Sequence, residues 1–245
     1  MDDAMKPPLR IEPDPATLAR AAADHVVETL RAAIDVRGRA WIALAGGSTP
    51  RAMYEELAVR GDALDWSVVE FFWSDERVVL PDHPDSNVRM AREALLDPLG
   101  IDAAQIHPPR TELGADDAAT AYEIELRTRA SDDGTPSFDL VLLGMGDDGH
   151  TASLFPGGAE LDVEENSLVV SSTAPFDPPE RVTFTLPLIE AARSVLFVVS
   201  GAAKAPALRR IFDGDRDLPA ARVAPRDGEL LWMVDADAAD VSRRG

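Results

Sequence analysis

FDLVLLGMGDDGHTASLFPG, residues 138–157, decides how this chain is read. Its first six residues are apolar apart from Asp139. A short, continuously apolar run points to a strand buried on both faces, as in a parallel sheet covered by helices. Gly144, Gly146 and Gly149 follow at once, formally a G-x-G-x-x-G loop after a strand, which invites a dinucleotide reading. Two features oppose it. Asp147 and Asp148 would repel a pyrophosphate, and Pro156-Gly157-Gly158 stops the next helix before it could cross the sheet. The glycines instead let the chain turn sharply and present His150 at the sheet edge. An imidazole beside acids titrates near neutrality and suits general acid/base work.

Outward from this stretch, helical and strand patterns alternate. Asp14-Pro15 combines a capping acceptor with proline at the first helical position. Leu18, Ala22, Val26 and Leu30 then recur every fourth residue and predict a helix to about Ile34. Residues 41–45 (WIALA) predict a strand entering Gly46-Gly47, followed by a helix over 50–59. Residues 66–73 (WSVVEFFW) predict the next strand, and 86–96 and 116–130 two helices. Further strands are expected over 167–172, 181–186, 194–200 and 229–234, with a helix over 203–212 between the last two. Two loop-like stretches, 131–137 (SDDGTPS) and 174–180 (APFDPPE), are too short to mark a boundary, so one domain over 1–245 is expected. The alternation predicts an α/β layered fold, a mostly parallel sheet flanked by helices. Ligands of such sheets sit beyond the carboxyl ends of the strands, so the loops after Ala45, Trp73, Leu143 and Ser200 should converge.

Composition narrows the function. There is no cysteine, which removes disulfides, thiolate zinc sites and cysteine nucleophiles. No H-x-x-x-H or H-x-H spacing suggests a metal site, and no G-x-S-x-G suggests a hydrolase nucleophile elbow. Neither a metal nor a cofactor is expected. A formal charge of -20 argues against nucleic acid or an anionic membrane surface as partner. It leaves room for a small anion in a local pocket of opposite sign. No apolar run approaches a membrane span, and residues 1–10 have no apolar core for a signal peptide. A cytoplasmic enzyme or binding protein is the expectation.

Four loops carry candidate chemistry. In GGSTPR, residues 46–51, Gly46 and Gly47 permit close backbone approach. The helix start behind Ser48 and Thr49 has Arg51 and no acid in its first turn, which leaves its dipole free for an external anion. The alternative is a plain glycine turn capped by Ser48 or Thr49. Ser74-Asp75-Glu76-Arg77 ends a strand with three charged residues, either a solvated turn or a catalytic edge. The third loop holds His150. Of the other histidines, His25 falls on a helix, and His83 and His107 sit beside prolines in loops. In the fourth, Lys204 follows a strand and could meet a phosphate as a point charge. Lys6 and Lys204 are the only lysines in an arginine-rich chain. Arg181, opening another strand, is a candidate of the same kind.

Together, LAGGSTPRAMYEEL (44–57), FFWSDERVVLPDHPDSN (71–87), the 138–157 stretch, RVTFTLPLI (181–189) and VLFVVSGAAKAPAL (195–208) resemble the 6-phosphogluconolactonase family, related to the glucosamine-6-phosphate deaminases. The resemblance spans most of the chain. It implies a sheet shared with sugar-phosphate isomerases and metal-free hydrolysis of 6-phospho-D-glucono-1,5-lactone, with a monomer or weak homodimer. It marks His150, Asp75, Arg77 and Asp148 as catalytic. It marks Gly46, Gly47, Ser48, Thr49, Asn87, Gly146, Gly149, Arg181 and Lys204 as substrate-binding, with Ser48, Thr49, Arg181 and Lys204 at the phosphate. Asp75 and Asp148 are both open as the group that orients His150 or Arg77. The deaminases resemble D-G-H-I-A-F-N-E-P, with a glutamate where this chain has Phe155, and Asp-Glu-Tyr where it has Asp75-Glu76-Arg77; both departures favour the lactonase. A non-catalytic sugar-phosphate sensor is the other alternative, but the chain leaves no room for an added DNA-binding module.

Overall fold

The computed structural model describes residues 7–130 and 136–240; the expected loop residues 131–135 and the segment 1–6 lie outside the described residues. Among the described residues there are nine strands: β1 (Leu9–Glu12), β2 (Ala40–Leu44), β3 (Val69–Trp73), β4 (Asp75–Arg77), β5 (Leu140–Leu143), β6 (Val169–Thr173), β7 (Glu180–Phe184), β8 (Ser194–Val199) and β9 (Glu229–Asp235). The helices are α1 (Pro15–Arg37), α2 (Ser48–Ala58), α3 (Asn87–Ala91), α4 (Asp97–Leu99), α5 (Ala115–Arg129), α6 (Leu186–Glu190), α7 (Ala205–Phe212) and α8 (Pro219–Arg222). A π-helical turn, Arg92–Leu96, joins α3 to α4.

Six strands form a sheet in the order β1-β9-β8-β5-β2-β3, and every neighbouring pair is parallel. The continuous apolarity of its strands has a direct cause. Side chains alternate faces along a strand, and here each face meets its own core. Trp41 and Ala43 of β2, Val141 and Leu143 of β5, and Phe197 of β8 pack with α5 and α7. Ile42 and Leu44, Leu140 and Leu142, and Leu196 and Val198 pack on the other face with α1 and α2. The α1 stripe Leu18, Ala22, Val26 and Leu30 is wholly buried there. Each such leucine contributes about 1.5–3 kcal/mol by leaving water. The Asp14 carboxylate accepts from the Thr17 N–H at 2.8 Å, Pro15 opens α1, and Gly38 closes it in a left-handed conformation at φ 70°.

Three local differences from the expectation have physical reasons. Trp66–Val68 is a 3-10 turn rather than the start of β3, because the Asp65 carboxylate caps the Ser67 N–H at 3.1 Å. The helix expected from residue 50 begins two residues earlier, at Ser48. The strand expected over 181–186 ends at Phe184, because Thr185 caps α6.

The larger difference is a second sheet, in the order β4-β7-β6 with both pairings antiparallel. Ser74 is the junction. Its N–H donates to Leu44 O at 2.9 Å, continuing the large sheet, while its own carbonyl accepts from the Phe184 N–H at 2.8 Å, starting the small one. The segment 75–77, read as a loop, is therefore a strand whose residues have fixed alternate directions. β1 is also present where no strand was expected. Among the described residues no helix is long and apolar enough to cross a membrane.

Candidate active site

The chain runs from β2 to β3 on one side of the sheet and from β5 to β8 and β9 on the other. Loops leaving the carboxyl ends of β2 and β5 therefore diverge, and a crevice opens between them. It has a volume of about 340 Å³. All four expected loops reach it, through Gly46–Thr49, Asp75 and Arg77, Gly144–Gly146 with His150, and Ser200 with Lys204.

The β5 loop is built around its histidine. The Asp148 carboxylate lies 2.6 Å from His150 Nδ1 and also accepts from the His150 backbone N–H at 3.0 Å. Burial works against that carboxylate's charge. The backbone N–H, the imidazole charge and the ring hydrogen bond outweigh it and hold Asp148 below the usual carboxylate range. With Nδ1 committed to Asp148, Nε2 is the nitrogen free for chemistry. His150 keeps 22% of its side chain exposed. Gly146 is required by space: a Cβ there would stand 2.1 Å from His150 Nδ1 and 2.6 Å from Asp148 Oδ1. Gly149, at φ +83°, faces Leu218 and serves the turn and its packing rather than the crevice wall.

Cationic groups gather opposite. α2 starts at Ser48 behind Gly47, which has no side-chain cap, and its first turn holds no acid. The first helix-closing bond is Arg51 N–H to Gly47 O, so the Ser48 and Thr49 amides precede it. Tyr54 fixes the approach: its hydroxyl accepts from the Ala45 N–H and donates to Ala45 O, both at 2.9 Å. Lys204, which lines the crevice, has Nζ 2.5 Å from Asp147 Oδ1. The two acids of the glycine loop thus each have a cationic or imidazole partner. Arg77 Nη1 donates to Asp85 O at 2.6 Å, while its buried Nε has no hydrogen-bond partner. Arg181, cross-strand to Arg77, is 2% exposed with Nη1 unpartnered. Burial and then the nearby Arg77 charge push its basicity down. Arg181 lies behind the crevice lining rather than in it.

Asp75 does not orient the imidazole. Its carboxylate accepts from Ser153 Oγ at 2.7 Å, and Asn87 Nδ2 donates to its carbonyl at 2.9 Å. Gly46 makes space for that asparagine, since a Cβ there would lie 1.9 Å from Asn87 Oδ1. The buried Glu76 carboxylate accepts from the N–H groups of Arg77, Asn87 and Val88 at 2.7–2.8 Å and from Ser86 Oγ at 3.0 Å. Burial raises its pKa, yet four donors on two oxygens suit an acceptor-only carboxylate. It ties β4 to α3. Ser153, Tyr54 and Phe176 carried no expectation in the sequence, and Glu76 only as part of the charged strand end. Ser153 had a signal, three residues after His150 in the same motif. Tyr54 and Glu76 act through partners up to 12 residues away, and Phe176 through His150 and Phe155 of another loop.

The remaining histidines lie elsewhere. His107 is buried between Glu70 and Glu125, 3.2 Å from each. His25 is lowered in basicity by burial, and His83 accepts from the Asp85 N–H at 3.2 Å. Among the described residues no three His, Asp or Glu side chains group so as to hold a metal ion.

The fold and crevice define a class: α/β proteins with a glycine-lined, cation-rimmed pocket at the switch point of a parallel sheet. The family of glucosamine-6-phosphate isomerases/6-phosphogluconolactonase matches residues 13–232, and the chain belongs to it. It is 44% identical to a 6-phosphogluconolactonase of Nostoc sp. over 96% of this chain and 98% of the relative. It is 46% identical to one of Synechocystis sp. over 88% and 90%. The crystal structure of 6-phosphogluconolactonase from Thermotoga maritima superimposes with TM-score 0.83 at 31% identity, covering 94% of this chain and 100% of that one.

Proposed function

We propose that this chain hydrolyses 6-phospho-D-glucono-1,5-lactone to 6-phospho-D-gluconate, in the oxidative pentose phosphate pathway, without a metal or cofactor. The observation that carries the reading is the His150–Asp148 pair, 2.6 Å apart, facing a crevice rimmed by Lys204 and Arg77. Strong family resemblance over nearly the full chain supports the same reading.

A δ-lactone is an activated ester, so a positioned water suffices and no covalent intermediate is needed. His150 Nε2 takes a proton from that water as its oxygen attacks C1. Asp148 holds the imidazole in the tautomer that leaves Nε2 free and stabilises its charge once protonated. The carbonyl π bond opens and its oxygen takes the negative charge. The Gly146 and Gly149 amides are already committed, to His150 O and Gly146 O. Arg77, whose side chain lines the crevice, is the cation that meets the oxyanion. As the C1 carbonyl re-forms, the bond from C1 to the ring oxygen breaks, and that oxygen takes the proton from His150. The phosphate is held at a distance by the Ser48 and Thr49 amides and hydroxyls and by Lys204, with Arg181 adding charge from behind, so that remote binding positions C1. Lys204 leaves Asp147 for the phosphate. Asp75 and Asn87 shape the floor. The chain works in the cytoplasm as a monomer or weak homodimer, with no nucleic-acid or membrane partner.

The test generates the lactone in situ from glucose 6-phosphate and follows its disappearance with and without the protein. Accelerated loss is expected. A rate equal to spontaneous hydrolysis, or release of ammonia from glucosamine 6-phosphate instead, rejects the reading.

A further inference from the structure

We infer that Phe176 is a substrate-contacting wall of the crevice, packing against the carbon skeleton of the sugar phosphate and setting preference for it over a bare phosphate. The inference rests on the lactonase reading and deepens it. Phe176 belongs to the loop joining β6 to β7, residues 174–179, which holds Pro175, Pro178 and Pro179. Each proline fixes its own φ, and the loop is closed by Ala174 N–H donating to Pro179 O at 2.8 Å. A large apolar side chain is thus carried on a stiff support, so little conformational freedom remains to be lost when a ligand meets it.

Phe176 lines the crevice and is 49% exposed. The other sizeable apolar side chains of the lining, Met145, Val198 and Val199, are buried. Its ring centre lies 6.1 Å from the His150 ring and 5.8 Å from Phe155, nearly edge-on at 83°. The Arg181 guanidinium carbon is 5.7 Å from the ring centre. Edge contact with one aromatic ring and a cation over its face fix the ring's place. A ligand whose C1 meets Nε2 of His150 therefore comes within reach of Phe176. A lactone ring has polar edges and C–H faces. The polar edges match the amides and charges of the crevice, and a C–H face matches an exposed aromatic ring. Inorganic phosphate has no such face, so the wall discriminates by the carbon skeleton.

The test compares Phe176→Ala, Phe176→Leu and the unaltered chain in lactone hydrolysis and in calorimetric binding of 6-phosphogluconate and of inorganic phosphate. Removing an apolar contact of roughly 60 Å² corresponds to about a tenfold loss. Phe176→Ala should raise KM and weaken 6-phosphogluconate about tenfold, with kcat and phosphate affinity within about twofold of the unaltered chain. Phe176→Leu should recover most of the loss, and it carries the test should the alanine variant fold poorly. Unchanged 6-phosphogluconate binding overturns the inference. So does an equal loss of phosphate affinity, which would mean that the ring acts only by steadying Arg181. If the unaltered chain binds 6-phosphogluconate but does not hydrolyse the lactone, the reaction assignment falls while the binding ratio still decides the wall. If it binds neither compound, both fall.

Discussion

The two ends of the parallel sheet carry similar residue types to opposite purposes. At the end where strands begin, charge is paired. Asp139, buried just before β5, accepts the Trp41 N–H at 2.8 Å and meets Arg37 at 2.7 Å. Arg193 donates to Ser137 O and Oγ, Arg129 contacts Glu70 and Glu125, and Arg39 covers the Trp41 ring. At the carboxyl end, Arg77 Nε and Arg181 Nη1 are buried without hydrogen-bond partners, α2 opens without a cap, and His150 keeps one nitrogen free. Buried nitrogens without hydrogen-bond partners also occur toward the other end, at Trp41 Nε1 and His107 Nε2; what sets the carboxyl end apart is the crevice that opens there beside Arg77, His150 and the start of α2. The first end holds the sheet together and the second end is open to a ligand.

The sharpest way to break this contrast is His150→Ala. Turnover of the lactone should fall about a thousandfold, the scale of general acid–base catalysis, with the melting temperature within about 4 °C of the unaltered chain's. Near-normal turnover would remove His150 from the chemistry. Asp139→Ala is the mirror experiment. Removing this buried carboxylate leaves the Trp41 N–H without its acceptor and should cost about 1–3 kcal/mol in denaturant unfolding, while activity per folded molecule stays intact. Wild-type stability would erase the distinction between the ends. Gly146→Ala pushes the imidazole from its place, so kcat should drop about a hundredfold through misalignment alone; a crystal structure with His150 unmoved would contradict it. Lys204→Ala should raise KM about tenfold, as loss of one charged contact to phosphate does, with kcat little changed. An unaltered KM would take Lys204 out of the phosphate site.

The smallest expected effect concerns acid. The Asp148 carboxyl is held below its usual range. Its charge therefore contributes stability above the unfolded value of about 4, and that contribution is lost as pH falls through the lowered folded value. Asp148→Asn should be less stable than the unaltered chain at neutral pH, by under about 1 kcal/mol because the group is partly in water. The gap should close on acidification. A gap that widens as pH falls would reverse the sign of the interaction.

Much of the fold was legible in one dimension. The α1 stripe, the apolar strands and the glycine breaks after β2 and β5 are local patterns whose periods report burial directly. His150 was legible as a candidate because glycines and acids crowd it within one loop. β4 was not legible, because three charged residues read as solvated turn until the long-range partner β7 pairs with them. Arg181 was a candidate as a cation opening a strand, yet its place behind Arg77 depends on that same pairing. Asp75 and Asp148 were equal candidates for the imidazole until distances separated them.

Residue order was enough to specify the layered architecture, the four converging loops and the histidine that reaches the crevice, because each depends on periodicity or on neighbours within a few positions. Three-dimensional packing was needed to assign Asp148 to His150, to give Asp75 to Ser153 and Asn87, and to bring Phe176 to the crevice. Those pairings join segments brought together by sheet topology or choose between groups that differ only in distance, and neither is encoded in spacing along a chain.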